Sequence, residues 1–279
     1  MIIKQAFTIK GSEGKPILMD LTYNNSHKNT SPIVIFVHGF KGFKDWGTHD
    51  LVADHFAEQG FIFLKFNFSH NGTTPENPID FVDLGAFGDN TFTKEFEDLD
   101  KVISFALSGD SFAASEKVAL IGHSRGGGTS IIQAAKDERV ERLITWAAIS
   151  DFNSLWKKEQ EAEWREKGVI YTYNVRTKQN TPLKIDLLHD LEKHANSYNI
   201  QKWASQISKP WLIIHGDADQ NVPVEDAFKL HKENENAEIV IVKAANHVFG
   251  ASHPYLGDQL PEPLHEVVEK SIAFLNKTS

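Results

Sequence analysis

The sequence holds no cysteine. Disulfides, thiolate metal sites and cysteine nucleophiles are thereby excluded, and the fold must hold through packing alone. No stretch approaches the ~18 apolar residues of a membrane helix, and Met1 to Lys10 lacks an apolar run followed by a small-residue cleavage site. The expectation is a soluble, cytoplasmic protein with no membrane partner. Positive charge is also short: 29 Lys and Arg stand against 38 Asp and Glu, a formal net charge of -9. Such a surface offers no basic stripe to a phosphate backbone, so nucleic acid is not an expected partner. Internal repeats, heptad runs and low-complexity tracts are missing as well.

What is present is ordinary globular material. The 279 residues are 41% hydrophobic and 24% charged, enough for one large core. Short apolar runs alternate with segments of helical period, which predicts an α/β fold: a mostly parallel central sheet with helices on both faces. Strands are expected at Ile33 to Val37, Phe61 to Phe66, Lys117 to Ile121, Leu143 to Ile149, Trp211 to His215 and Ile239 to Val242. Leu51, Val52, His55 and Phe56 share one helical face that stops at Gly60, and Phe96, Leu99, Val102, Ile103 and Ala106 share another. Ile2 to Ile9 and Ile17 to Tyr23, separated by Gly11 and Gly14, predict an N-terminal β-hairpin on the sheet edge. The rhythm breaks over 152–207, rich in Lys, Glu, Asn and Trp, with a strand expected from Gly168 to Val175 and a turn at Thr181-Pro182. It reads as an inserted cap, dividing a core of 1–151 and 208–279, because excursions beyond ~15 residues are usually functional or disordered and its tryptophans argue against disorder.

The third central strand runs into Gly122-His123-Ser124-Arg125-Gly126, followed by Gly127 and Gly128. A serine on a sharp strand-to-helix turn needs residues without bulk two before and two after it, and glycine fills both places. The helix expected at Thr129 to Lys136 completes the setting. A phosphate-binding reading fails, since neither G-x-x-x-x-G-K-[ST] nor G-x-G-x-x-G occurs. Ser124 is therefore a candidate nucleophile, in need of a base and an acid from loops after later strands.

Of thirteen histidines, His247 lies just past the last strand, with His253 and His265 further along as alternatives. For the acid, Asp219 sits in a Pro-bounded loop after Trp211 to Gly216. Asp217 is better placed to brace its own loop, and Asp151 follows one strand earlier. Two backbone N–H groups must stabilise the oxyanion of an acyl-transfer intermediate, each contributing roughly 3 kcal/mol. Arg125 and Phe40, the latter in His38-Gly39-Phe40 after the first parallel strand, are the candidates, with His38 read as a structural hydrogen bonder.

His38-Gly39-Phe40, Gly122 to Gly127, His215-Gly216-Asp217-Ala218-Asp219 with Val222-Pro223, and Asn246-His247 together resemble the α/β-hydrolase superfamily over nearly the whole chain. Within it the sequence is similar to the feruloyl and cinnamoyl esterase-like acyl hydrolases. The H-G-F turn, Phe66-Asn67-Phe68-Ser69-His70-Asn71-Gly72, and an insert of this size before the acid carry that likeness. The resemblance implies an α/β-hydrolase fold, a Ser124, Asp219 and His247 triad, Phe40 and Arg125 as oxyanion donors, and a cap walling the acyl site. It also implies a small-molecule acyl ester as substrate and no cofactor or metal. A homodimer is left open. Amide or peptide cleavage, for which Glu159, Glu161, Glu163 and Glu166 could hold a substrate amine, is the alternative within the fold, and a non-catalytic ligand binder is the alternative outside it. Relatives often carry Gln or Met where this chain has Arg125, and the turn at 68–72 replaces a commoner G-H-G ending. The Arg125 side chain is expected on the surface or in a structural role, with pairing to an acid or to an anionic substrate as the other readings.

Overall fold

Ile33, Ile35 and Val37 pack to one side of the sheet, Val34 and Phe36 to the other, and all five are buried. Burial on both faces is what a central parallel strand requires, and it sets the architecture. The computed structural model describes residues 1–26, 31–108 and 116–277. Its strands, numbered along the chain, are β1 (Ile2–Lys10), β2 (Pro16–Asn24), β3 (Ile33–Val37), β4 (Ile62–Phe66), β5 (Val118–His123), β6 (Val140–Trp146), β7 (Val169–Asn174), β8 (Gln179–Lys184), β9 (Trp211–Gly216) and β10 (Glu238–Val242). Eight of them form one sheet in the order β1-β2-β4-β3-β5-β6-β9-β10. The N-terminal hairpin β1-β2 joins β4 antiparallel, and every pairing from β4 to β10 is parallel.

The helices are α1 (His49–Glu58), α2 (Leu84–Asp89), α3 (Phe92–Ala106), α4 (Arg125–Lys136), α5 (Gln160–Lys167), α6 (Asp186–Lys193), α7 (Ile200–Ala204), α8 (Glu225–Glu233) and α9 (Glu262–Leu275). Val52 and Phe56 of α1 and Leu264, Val267 and Ile272 of α9 cover one face of the sheet. Leu99 and Val102 of α3 and Ile131 and Ile132 of α4 cover the other. Each such side chain contributes roughly 2 kcal/mol by leaving water, so two apolar layers clamp the sheet between them. Segment 152–207 carries α5, the antiparallel pair β7-β8, α6 and α7. Its Trp164, Leu183, Leu187, Leu191 and Ile200 enter the same apolar cluster as α3 and α4.

Four local expectations are corrected. β6 spans Val140–Trp146, not Leu143 to Ile149: Ala147 turns out of the strand at φ 46° and donates to Ile214 O at 2.8 Å. Ala147 to Ile149 are apolar because they pack below the Ser124 turn, not because they lie in the sheet. Thr181-Pro182 stands within β8, where a two-stranded edge tolerates proline. α4 begins at Arg125, four residues ahead of Thr129. In α1 the buried face is Val52, Ala53, Phe56 and Ala57, leaving Leu51 and His55 partly exposed.

Candidate active site

Ser124 sits between β5 and α4 at φ 57°, ψ -122°, with its amide donating to Trp146 O at 2.9 Å. That backbone is strained for a residue with a side chain, and the surrounding packing must impose it. The two glycines of the motif are required by close approach. A Cβ on Gly122 would lie 2.5 Å from Gly126 O and Ser130 Oγ, and one on Gly126 would run into the carbonyl oxygens of Val37 and His38. Among the described residues seven non-glycine residues have positive φ, and two others of them, Lys41 and Phe249, line the same cavity as Ser124.

Three side chains meet above the C-terminal strand ends. Ser124 Oγ lies 3.0 Å from His247 Nε2, and His247 Nδ1 lies 2.7 Å from Asp219 Oδ2. Asp219 Oδ1 accepts the amides of Asn221 at 2.8 Å and Val222 at 3.0 Å, and Oδ2 is 3.4 Å from His215 Nε2. Burial opposes its charge, but hydrogen bonds from His215 and His247, with the Val222 amide, hold the Asp219 carboxyl well below the usual carboxylate range. The fixed carboxylate orients the imidazole so that Nε2 faces the serine hydroxyl, the arrangement in which a hydroxyl can pass its proton to a neutral ring as it attacks a carbonyl.

The alternative candidates stand elsewhere. His253 Nδ1 accepts the Gly47 amide at 2.8 Å, and its ring stacks on Trp46. His265 lies on α9 against His55. Asp217 accepts the Ala244 amide at 2.5 Å, bracing the loop that carries His247, not its own. Asp151 caps the short turn at 152–155 through the Asn153 amide at 2.9 Å. His38 accepts the Phe68 amide on Nε2 and donates from Nδ1 to Gly39 O, and burial pushes its pKa down to about 4, so it stands neutral as a structural bonder.

Both expected oxyanion donors border Ser124. Gly39 packs so close that an added Cβ would lie 2.9 Å from Ser124 Cβ, which brings the Gly39-Phe40 turn onto the hydroxyl. Arg125 is the first residue of α4, where an N–H has no partner within the helix. The Arg125 side chain is buried, not on the surface. It pairs with Glu95 of α3, which also accepts from Asn90 Nδ2 at 2.8 Å, and its guanidinium stacks 4.8 Å from the Phe40 ring centre. Burial pushes the Glu95 carboxyl up, against the pull of Arg125.

A cavity of about 430 Å3 opens at Ser124. Phe40, Trp46, Leu155, Val248 and Phe249 supply apolar wall, with Lys41, Asn174 and Arg176 among the polar lining. Lys41 donates to Thr172 Oγ1 at 2.8 Å and Tyr173 O at 2.9 Å, tying the turn at Gly39-Phe40-Lys41 to β7. Arg176 pairs with Asp80 at 2.9 Å. No Asp or Glu appears in the lining among the described residues.

Sequence reasoning missed His123, His215 and the Glu95-Arg125 pair. His123 is half-buried, bonds through Nε2 to His247 O at 2.9 Å and is kept neutral by desolvation, with its pKa pushed down to about 3. The signal for His215 was its place at the end of an apolar strand, where a polar side chain must find partners. Lys41 comes from the turn after β3, and Asn174 and Arg176 from the end of β7 and the turn beyond it, so they carry no shared local signature.

Fold and motif geometry define an α/β-hydrolase. The chain belongs to the prolyl oligopeptidase family, whose sequence pattern matches residues 48–260. Solved structures similar to it include the esterase domain of a Rhodothermus marinus protein, at 19% identity and TM-score 0.64 over 98% of this chain and 97% of that one. Est1E from Butyrivibrio proteoclasticus with ferulic acid bound is similar at 19% identity and TM-score 0.70, over 97% of this chain and 98% of that one. Acylaminoacyl peptidase from Pyrococcus horikoshii matches 99% of this chain at 14% identity and TM-score 0.68, but only 41% of its own length is covered. No curated protein sequence matches significantly. No helix among the described residues is long and apolar enough to cross a membrane.

Proposed function

We propose that this hydrolase cleaves carboxylic esters of small molecules through an acyl-enzyme on Ser124. Neutral His247 takes the hydroxyl proton during attack, and the tetrahedral oxyanion sits against the Phe40 and Arg125 amides. The protonated ring gives its proton to the leaving alcohol, and water activated by the same ring releases the acid. Asp219 holds the ring and supports its charge. Segment 152–207 acts as a cap over the acyl site, supplying Leu155, Asn174 and Arg176 to the cavity. The observation that carries the reading is the continuous line from Ser124 Oγ through His247 to Asp219, at 3.0 and 2.7 Å.

Peptide cleavage is the second reading, favoured by the family the chain belongs to. The chemistry of the cavity weighs against substrates with a free ammonium group, because cations line it and carboxylates do not. Glu161 and Glu163 pair with Arg165 and Lys167 on the face of α5, and none of the four glutamates considered for an amine reaches the cavity. A panel of p-nitrophenyl acyl esters run beside aminoacyl amides decides between the readings. Ester turnover abolished in Ser124→Ala, with amides cleaved at least ~100-fold more slowly, supports the esterase. Faster amide cleavage supports the peptidase. A fluorophosphonate probe that fails to label Ser124 removes both.

A further inference from the structure

On the sheet face opposite α3 and α4, His55 of α1 meets His265 and Glu269 of α9. Nitrogen and oxygen atoms able to ligate, one from each side chain, lie within 4.8 Å of one another. His55 Nε2 is 3.8 Å from Glu269 Oε1, and the two imidazoles stand edge to face with centres 5.4 Å apart. At 3.8 Å the first pair is too long for a hydrogen bond, so these groups are near one another without satisfying one another.

Two features of the backbone fix this meeting. His265 and Glu269 are four residues apart on one helix, so their side chains project from the same face. The apolar sides of α1 and α9 share a cluster through Phe56, Leu264 and Val268, which holds His55 opposite them. The constellation therefore rests on packing and needs no ion to assemble it.

We infer that His55, His265 and Glu269 form a binding site for a divalent transition-metal cation of the zinc type. Two imidazole nitrogens and one carboxylate oxygen are a donor set that suits zinc, cobalt, nickel or copper, whereas magnesium and calcium take oxygen ligands. In tetrahedral geometry, metal-ligand bonds of ~2.1 Å place ligand atoms about 3.4 Å apart. The three atoms, now within 4.8 Å of one another, reach that spacing when each of the farthest pair swings inward by roughly 0.7 Å, which partly exposed side chains can do. Three protein ligands leave further positions to water.

The consequence is mechanical. α1 follows the loop that carries Phe40 and Trp46, and α9 follows the loop that carries His247. A cation joining the two helices pins the far anchors of both loops. The site is independent of what Ser124 does, and its test reads binding and unfolding instead of turnover.

Chelator-stripped protein is titrated with zinc chloride by calorimetry. One equivalent is expected to bind, at least ~10-fold more weakly in His265→Ala and in Glu269→Gln, and not measurably in the His55→Ala, His265→Ala double variant. His247→Ala should bind as the unaltered chain does, which separates this site from the imidazole beside Ser124. Zinc at a hundredfold excess over Kd should raise the unfolding midpoint by roughly 5 °C, and leave that of the double variant unmoved. Cobalt chloride should give visible absorption bands with the same dependence on the three residues. Absence of binding to the stripped protein, undiminished binding by the double variant, or binding lost only in His247→Ala overturns the proposal.

Discussion

Asp219 and Glu95 are both buried carboxylates within one residue's reach of the Ser124 turn, and they are held in opposite ways. Asp219 spreads its charge over both oxygens, to two backbone amides, His247 and His215. Its acidity is strengthened despite burial. Glu95 gathers Arg125 and Asn90 on Oε1 alone, while Oε2 is buried without a partner, and burial pushes its carboxyl up. Number and direction of donors, not burial, separate a carboxylate that orients an imidazole from one that braces a wall.

The largest effect that can break this contrast is on rate. Asp219→Asn should lower kcat by about 10^4-fold on a p-nitrophenyl ester while the fold persists, because an amide can no longer hold the ring with Nε2 toward Ser124. A loss under tenfold in steady-state kinetics assigns the orienting role elsewhere. Glu95→Gln should act on stability instead, costing about 1–3 kcal/mol in urea unfolding, because the amide NH2 would lie buried where Oε2 has no partner. Replacing both partners, as Glu95→Leu with Arg125→Met, should restore most of that loss. A pair change as damaging as the single one would show that the ion pair itself stabilises the fold.

The two carboxylates should also respond to pH with opposite sign. Asp219, lowered in the folded protein, contributes stability above the unfolded carboxylate value of ~3.9, and this contribution is lost as pH falls through the folded value. The gap in unfolding midpoint between the unaltered chain and Asp219→Asn should be constant at higher pH and narrow below about 4. Glu95, raised in the folded protein, contributes most below its unfolded value and loses that contribution as pH rises through the folded one, so the gap to Glu95→Gln should narrow upward. Equal trends in the two series would contradict the contrast. The smallest effect concerns the cavity wall: Arg176→Gln should narrow, by a few-fold in kcat/KM, the preference for a neutral over a cationic acyl ester of equal size. An unchanged ratio would mean that Asp80 fully masks the guanidinium.

What was legible in the sequence follows the range of the interactions. β3, β4 and β9 show as short apolar runs because burial on both faces is a local demand, and Gly122 and Gly126 announce the Ser124 turn because crowding there admits no Cβ. His247 and Asp219 were found by place, each just past a late strand. β6 was misplaced because Ala147 to Ile149 are as apolar as a strand while serving the turn beside them, and Pro182 misled because an edge strand can absorb it. The Glu95-Arg125 pair spans 30 residues and joins two helices. Nothing near either residue foretells the other, and so Arg125 was expected on the surface or in a structural role, with pairing to an acid as another reading but no partner named.

The claim on which the rest depends is that Ser124 carries the acyl group. Rapid mixing with a p-nitrophenyl ester, quenched in acid and read by peptide mass spectrometry, tests it directly. The account predicts a burst of about one equivalent of p-nitrophenolate with an acyl adduct on the peptide containing Ser124, both absent in Ser124→Ala. A burst that survives that substitution, or an adduct on another residue, would contradict it.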